Sequence, residues 1–251
     1  MPFSIAVAGK GGTGKTALAT LIIYHLLRTC KTPVLAVDAD PNTNFNVNLG
    51  MEEGKAVSDL REDILEKQVS QGMSKSDFME FKLHELILEG KGVDLLVMGR
   101  PEGPGCYCAV NNLLRRYLSR IAAHYQYVVM DNEAGMEHLS RRTTDNVDIL
   151  FIVSEPTMVS VRSALKVKET AEKIKLRINR AFVVLNKVSA SRDLRLIKEK
   201  INKNGMNLIG DILFDELINE AGEEARDLLS LPEDSPAVQA TAEILKKAGI
   251  I

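Results

Sequence analysis

Gly9-Lys10-Gly11-Gly12-Thr13-Gly14-Lys15-Thr16 follows the apolar run Phe3-Ser4-Ile5-Ala6-Val7-Ala8 and precedes the helical stretch Ala17 to Leu27. The run reads as a buried strand, and the octet as the turn that carries the chain into the helix. The octet satisfies G-x-x-x-x-G-K-[ST], the phosphate-binding loop. Gly11, Gly12, Thr13 and Gly14 let backbone N–H groups close around a polyphosphate, and the helix dipole favours negative charge at that place. Lys15 is expected to reach the β- and γ-phosphates, and the Thr16 hydroxyl to ligate Mg²⁺. A chance glycine-rich turn is the competing reading. An eight-residue match between a strand and a helix outweighs it.

Short apolar runs alternate with helical stretches along the whole chain. Pro33–Val37, Val93–Met98, Tyr127–Met130, Val147–Val153, Ala181–Leu185 and Leu208–Leu213 read as further strands. Most are continuous Val/Ile/Leu runs, as parallel strands covered on both faces require. Asn111–Ala123, Met158–Ile174 and Asp193–Asn204 read as helices between them. The alternation predicts an α/β fold, a doubly wound, mainly parallel sheet of about seven strands with helices on both faces. No linker or repeat divides the chain, so residues 1–251 are expected to form a single P-loop domain. Glu52 to Gly92 is the longest strand-free interval, and the spacing of Phe78, Phe81, Leu83 and Leu86 predicts a helix over Ser74–Leu88.

Acidic residues follow two of the strands. Val37-Asp38-Ala39-Asp40-Pro41-Asn42 sets two carboxylates where ligands bind in doubly wound folds, at a strand's C-terminal end. One can sit near Mg²⁺ while the other faces an attacking water. Tyr127-Val128-Val129-Met130-Asp131 has the apolar-run-then-acid pattern in which the carboxylate holds Mg²⁺ through water, and Gly135 lies four residues on. Each pattern is weak alone; with the phosphate loop they make one site.

Lys10, at the second position of the octet, narrows the class. The chain resembles the deviant Walker A ATPases, the MinD/ParA/NifH family of dimeric proteins. The resemblance implies ATP as ligand, Lys15 acting in cis and Lys10 acting across a homodimer interface on the partner's nucleotide. It also implies that Asp40 in switch I activates water, that Asp38 supports the metal shell, that Gly135 in switch II reaches the γ-phosphate and that Asn186 contacts the adenine. Ser154-Glu155-Pro156-Thr157 resembles the family's turn into the next helix and is read as structural.

Gly99-Arg100-Pro101-Glu102-Gly103-Pro104-Gly105-Cys106-Tyr107-Cys108 sets this chain apart. In a Gly/Pro-rich turn the two thiols can converge, and a helix starting near Ala109 would favour the thiolate of Cys108. Two sulfurs supply half of a tetrahedral four-sulfur site. A symmetric dimer would supply the other half, the same dimer that Lys10 requires. Packed, inert thiols are the bland alternative. Cys30, at the end of the first helix, is expected to be a small buried residue. GKGGTGKT, DADPN, GRPEGPGCYC and DNEAG occur here in the order seen in CooC-type proteins and their AcsF relatives, accessory ATPases for nickel insertion into carbon monoxide dehydrogenase and acetyl-CoA synthase. That resemblance implies Zn²⁺ or Ni²⁺ at Cys106 and Cys108, and a client nickel enzyme as partner. Both metals suit soft thiolates. His124 and His138 are read as structural rather than as further ligands.

Composition bounds the remainder. A net charge of −2 and a pI near 6.1 leave no overall footprint for nucleic acid or an anionic membrane, and neither is expected as a partner. No stretch reaches the ~20 apolar residues needed to span a bilayer, and no signal peptide is seen, so a cytoplasmic protein is expected. Two alternatives stay open. A NifH-like electron-transfer ATPase would use a cysteine in switch II, but Asp131–Glu137 contains none. A ParA/MinD-type positioning ATPase could use Ala242–Ile251 as a weak membrane-targeting helix, although such an end is more often docked on its own domain.

Overall fold

A computed structural model describes residues 1–40, 44–59, 81–99, 118–132, 146–173 and 176–251. Seven strands form one sheet in the order β3-β2-β4-β1-β5-β6-β7. They are β1 (Phe3–Gly9), β2 (Val34–Ala39), β3 (Val93–Val97), β4 (Tyr127–Asn132), β5 (Asn146–Ser154), β6 (Arg177–Val188) and β7 (Leu208–Leu213). Every pairing within the sheet is parallel. The expected architecture is therefore present. One exception lies outside the sheet, where Leu88 makes an isolated antiparallel bridge to Leu95. No strand falls among the described residues of Glu52 to Gly92, and of the helix expected over Ser74–Leu88 the described residues 81–85 are helical while Leu88 is already in the bridge. Leu83 and Leu86 are buried while Phe81 is exposed.

The alternation of β1 explains the two-layer core. Ile5 and Val7 join the hydrophobic cluster on one face, and Ala6 and Ala8 join the cluster on the other. The first face carries α1 (Lys15–Arg28), α2 (Phe45–Asn48), α5 (Glu216–Glu223) and α6 (Pro236–Lys247). The second carries α3 (Met158–Lys173) and α4 (Arg195–Lys203). Helix α1 is buried from Leu18 through His25 and Leu26, so packing rather than an amphipathic stripe holds it. Tyr24 donates its hydroxyl to Leu231 O at 3.2 Å, and His25 Nε2 lies 2.9 Å from Val238 O. These bonds tie α1 to the C-terminal segment. Ile244, Leu245, Ala248 and Ile250 are buried, so the chain's end is docked on its own sheet. Among the described residues no helix is long and apolar enough to cross a membrane.

Cys30 departs from expectation. It is exposed, with φ 54°. Helix α1 ends in a Schellman motif: Cys30 N–H donates to Leu27 O at 3.2 Å and Lys31 N–H to Leu26 O at 2.9 Å. That closure requires a left-handed residue just past the helix, and the reversal turns Cys30 outward. The start of α3 is capped by its own turn, as the structural reading of Ser154–Thr157 requires. Thr157 Oγ1 accepts from Ser160 N at 3.1 Å, and Ser160 Oγ accepts from Glu155 N at 2.9 Å.

Candidate nucleotide site

The loop after β1 leads directly into α1, whose first residue is Lys15. Two glycines there are required by their surroundings. A Cβ on Gly9 would collide with the Val153 carbonyl oxygen of β5. Gly14 has φ 89°, and a Cβ on it would collide with the amide nitrogen of Asn186. Thr13 closes the turn: its N–H donates to Lys10 O at 3.3 Å and its hydroxyl to the same carbonyl at 2.8 Å. Gly11 and Gly12 are exposed on the outer turn, as is Lys10, whereas Lys15 is buried.

The sheet order brings the acids to this loop. Because β4 lies between β1 and β2, Asp131 is the register partner of both Asp38 and Val7. Paired residues of neighbouring strands share a face about 5 Å apart, so the two carboxylates stand side by side. Thr16 Oγ1 donates to Asp131 Oδ2 at 2.5 Å, which joins the first turn of α1 to the end of β4. Lys15 Nζ is 3.6 Å from Asp40 Oδ2. Asp38 accepts from Asp40 N at 3.1 Å and from Phe45 N at 3.4 Å, an arrangement that holds the turn after β2.

Burial dominates the electrostatics. It pushes the Asp38 carboxyl up to about 6 and the Asp131 carboxyl up to about 7. Backbone hydrogen bonds to Asp38 and the Thr16 hydroxyl on Asp131 oppose the shift, and the neighbouring carboxylates reinforce it. Asp131 Oδ1 is buried with no hydrogen-bond partner among the described residues. Such an atom calls for a proton, a water or a cation. No group of three or more His, Cys, Asp or Glu side chains with metal-holding geometry occurs among the described residues. Mg²⁺ does not need one, since it keeps several waters and takes one or two carboxylates plus phosphate oxygens. The donor set of Thr16 and Asp131, with Asp38 beside it, fits Mg²⁺.

Beside the loop opens a cleft of about 510 Å³, lined by Gly14, Lys15, Thr16, Asn186, Phe214 and Asn219 among others. Its size suits a nucleotide. Phe214, half-exposed after β7, offers an apolar surface there. Asn186 donates its amide to Thr13 O at 2.8 Å, so it is engaged with the loop and also lines the cleft. Lys187, which sequence reasoning passed over, donates to Gly12 O at 2.7 Å. Its only advance signal was its place beside Asn186 at a strand end. His124 is exposed in a turn, where its backbone N–H donates to Ile121 O at 3.0 Å. Cys106, Cys108, Gly135 and His138 lie outside the described residues.

Comparison with known proteins agrees with this geometry. Residues 4–228 match the CobQ/CobB/MinD/ParA nucleotide binding domain. The chain is 40% identical over 247 residues to an uncharacterized ATP-binding protein of Methanocaldococcus jannaschii, covering 97% of each. It is 30% identical over 257 residues to the carbon monoxide dehydrogenase accessory protein CooC of Rhodospirillum rubrum, covering 97% of this chain and 95% of CooC. A chain of the MinC:MinD cell division protein complex of Aquifex aeolicus superposes with a TM-score of 0.71 at 22% identity, over 98% of this chain and 95% of that one. MinD of Pyrococcus horikoshii, solved with Mg-ADP, gives 0.69 at 20% identity, over 99% and 96%. A strand-bordered phosphate loop, paired buried carboxylates and a family match over residues 4–228 lead to one conclusion: the chain belongs to the CobQ/CobB/MinD/ParA nucleotide-binding family and is a P-loop ATPase.

Proposed function

We propose that this ATPase is a dimeric accessory protein assisting nickel insertion into carbon monoxide dehydrogenase or acetyl-CoA synthase, with a metal site shared between subunits. The observation that carries this reading is the segment Gly99–Cys108, with its Cys106-x-Cys108 pair, in a chain related over its whole length to CooC. Two thiolates from each protomer would make a four-sulfur site for Zn²⁺ or Ni²⁺. A positioning ATPase has no use for that pair.

Each protomer's residues have distinct tasks. Gly11 to Thr16 bind the triphosphate, and Lys15 exchanges its pairing with Asp40 for the β- and γ-phosphates. Thr16 and Asp131 would hold Mg²⁺, with Asp38 supporting them, and the ion when bound would supply positive charge to the phosphates. Released from Lys15, Asp40 orients the attacking water. Lys10, exposed on the outer turn, makes no ion pair among the described residues and serves the partner's nucleotide. A cation supplied only on association couples hydrolysis to assembly. Asn186 borders the adenine, and Gly135 reports the γ-phosphate to the segment that follows β4. Closure around ATP brings the cysteine pairs together, and hydrolysis separates them for transfer of the metal to the client.

The test is a Cys106→Ala, Cys108→Ala double variant assayed for bound Zn²⁺ and Ni²⁺, ATP-promoted dimer and ADP affinity. Loss of metal and of the metal-stabilised dimer, with ADP binding intact, is the expected result. Stoichiometric metal retained by the double variant would place the metal elsewhere and overturn the reading.

A further inference from the structure

Asn186 and Lys187 are consecutive residues on β6, yet both hold the phosphate loop: Asn186 on Thr13 O and Lys187 on Gly12 O. In a regular strand, neighbours point to opposite faces and only one of the two could reach. The β6–β7 register shifts between Leu185 and Val188, and Lys187 has φ 57°. That is the left-handed region, which an L-residue with a long side chain adopts only under constraint. The kink turns the Lys187 ammonium back onto the loop, with Glu155 a more distant partner at 3.8 Å.

We propose that Lys187 is a positioning residue for the nucleotide site, acting through the peptide plane that joins Gly12 to Thr13. A trans peptide fixes its C=O and the following N–H in opposite directions. Holding Gly12 O on Lys187 therefore points Thr13 N–H the other way, where it donates to Lys10 O. The same logic applies one residue on: Asn186 holds Thr13 O, and Gly14 N–H faces the other way, away from the Asn186 amide. Together the two side chains fix consecutive peptide planes before any phosphate arrives, and the Lys187 bond also sets the turn from which Lys10 projects. A preorganised loop spends less of its binding energy on ordering itself.

The inference rests on the phosphate loop being the nucleotide site, so Lys15→Ala is the control. Mg-ADP titration calorimetry, thermal melts and amide hydrogen exchange of residues 11–14 in the nucleotide-free protein would be run on the full chain. Lys187→Asn keeps a residue that tolerates positive φ but is too short to reach Gly12. It is expected to melt no lower than the parent, to bind Mg-ADP about fivefold more weakly, and to exchange faster at residues 11–14, as the loss of one charge-assisted hydrogen bond at a half-exposed site implies. Lys187→Met, which keeps the length without the charge, should lose as much affinity and stands in if the Asn variant does not fold. Lys187→Arg should stay within about twofold of the parent, since it retains a donor.

Parent-like ADP binding and loop exchange in Lys187→Asn or Lys187→Met, with binding abolished in Lys15→Ala, would refute this inference and leave the nucleotide site standing. Parent-like binding in Lys15→Ala would instead sink the nucleotide site itself. Glu155→Gln should bind normally. If it reproduces the loss, Lys187 acts through Glu155 and the peptide-plane argument is wrong.

Discussion

Replacing Asp131 with Asn should stabilise the nucleotide-free protein and cripple its Mg-dependent binding. Burial raises the Asp131 carboxyl from 3.8 to about 7, so between those values the folded chain holds a proton that the unfolded chain has released. Stability then falls as pH rises through that window, because the native state binds more protons. Three units at ~1.4 kcal/mol each put the cost of the bare carboxylate near 4 kcal/mol at pH 8. Asn carries no charge and keeps an acceptor for the Thr16 hydroxyl, but its own N–H groups gain no evident partner, a loss of about 1–3 kcal/mol. The net gain is about 1–3 kcal/mol at pH 8, which for a chain of this size raises Tm by roughly 3–10 °C. At pH 5, about one unit above the unfolded value of 3.8, burial costs the parent only ~1.7 kcal/mol, which the unpaired Asn amide offsets, so the advantage shrinks to about zero. With Mg-ADP the order reverses, since the parent gains the metal's charge and the variant does not. Thermal melts at pH 5 and pH 8, each with and without Mg-ADP, provide the readout. A variant no more stable than the parent at pH 8, or equally favoured at both pH values, would refute the burial argument.

Asp40→Asn should slow ATP turnover by about 10²–10⁴-fold while ADP affinity stays equal or rises slightly, because Lys15 loses the competing carboxylate 3.6 Å away; turnover within threefold of the parent would remove Asp40 from the chemistry. Gly14→Ala should cost about 1–3 kcal/mol of stability and abolish measurable ADP binding, because φ 89° and the Asn186 amide both oppose a Cβ. Adding Asn186→Ala relieves only the collision, so full recovery in that double variant would contradict the strain argument. Ser235→Ala should cost about 2 kcal/mol in urea unfolding without altering ADP affinity, since Ser235 Oγ accepts from Val238 N and donates to the buried Asp215 at 2.6 Å; a loss below ~0.5 kcal/mol would show that the cap is dispensable.

The strands were legible because parallel strands buried on both faces need uninterrupted apolar runs. Their ends were not. Strand β6 begins at Arg177, where Arg177 and Arg180 break the apolar pattern but still pair with β5. Strand β4 continues through Asp131 and Asn132, buried polar residues that hydrophobicity alone reads as a stop. The phosphate loop could be recognised from eight adjacent residues, since its chemistry is local. That Asp38 and Asp131 stand side by side depends on β4 lying between β1 and β2, and strand order is a property of the assembled sheet. Cys30 was misread because cysteine is usually buried, whereas the Schellman closure of α1 needs a left-handed residue there whatever its type. The reach of Lys187 depends on a register shift that no periodicity announces.

Association of two protomers around nucleotide can be read from native mass and metal content on one sample. With Mg-ATP and equimolar Zn²⁺ or Ni²⁺, the 27.7 kDa chain should run at twice its mass and carry one thiolate-bound metal per pair of protomers. A protomer of unchanged mass under saturating ATP and metal would contradict it.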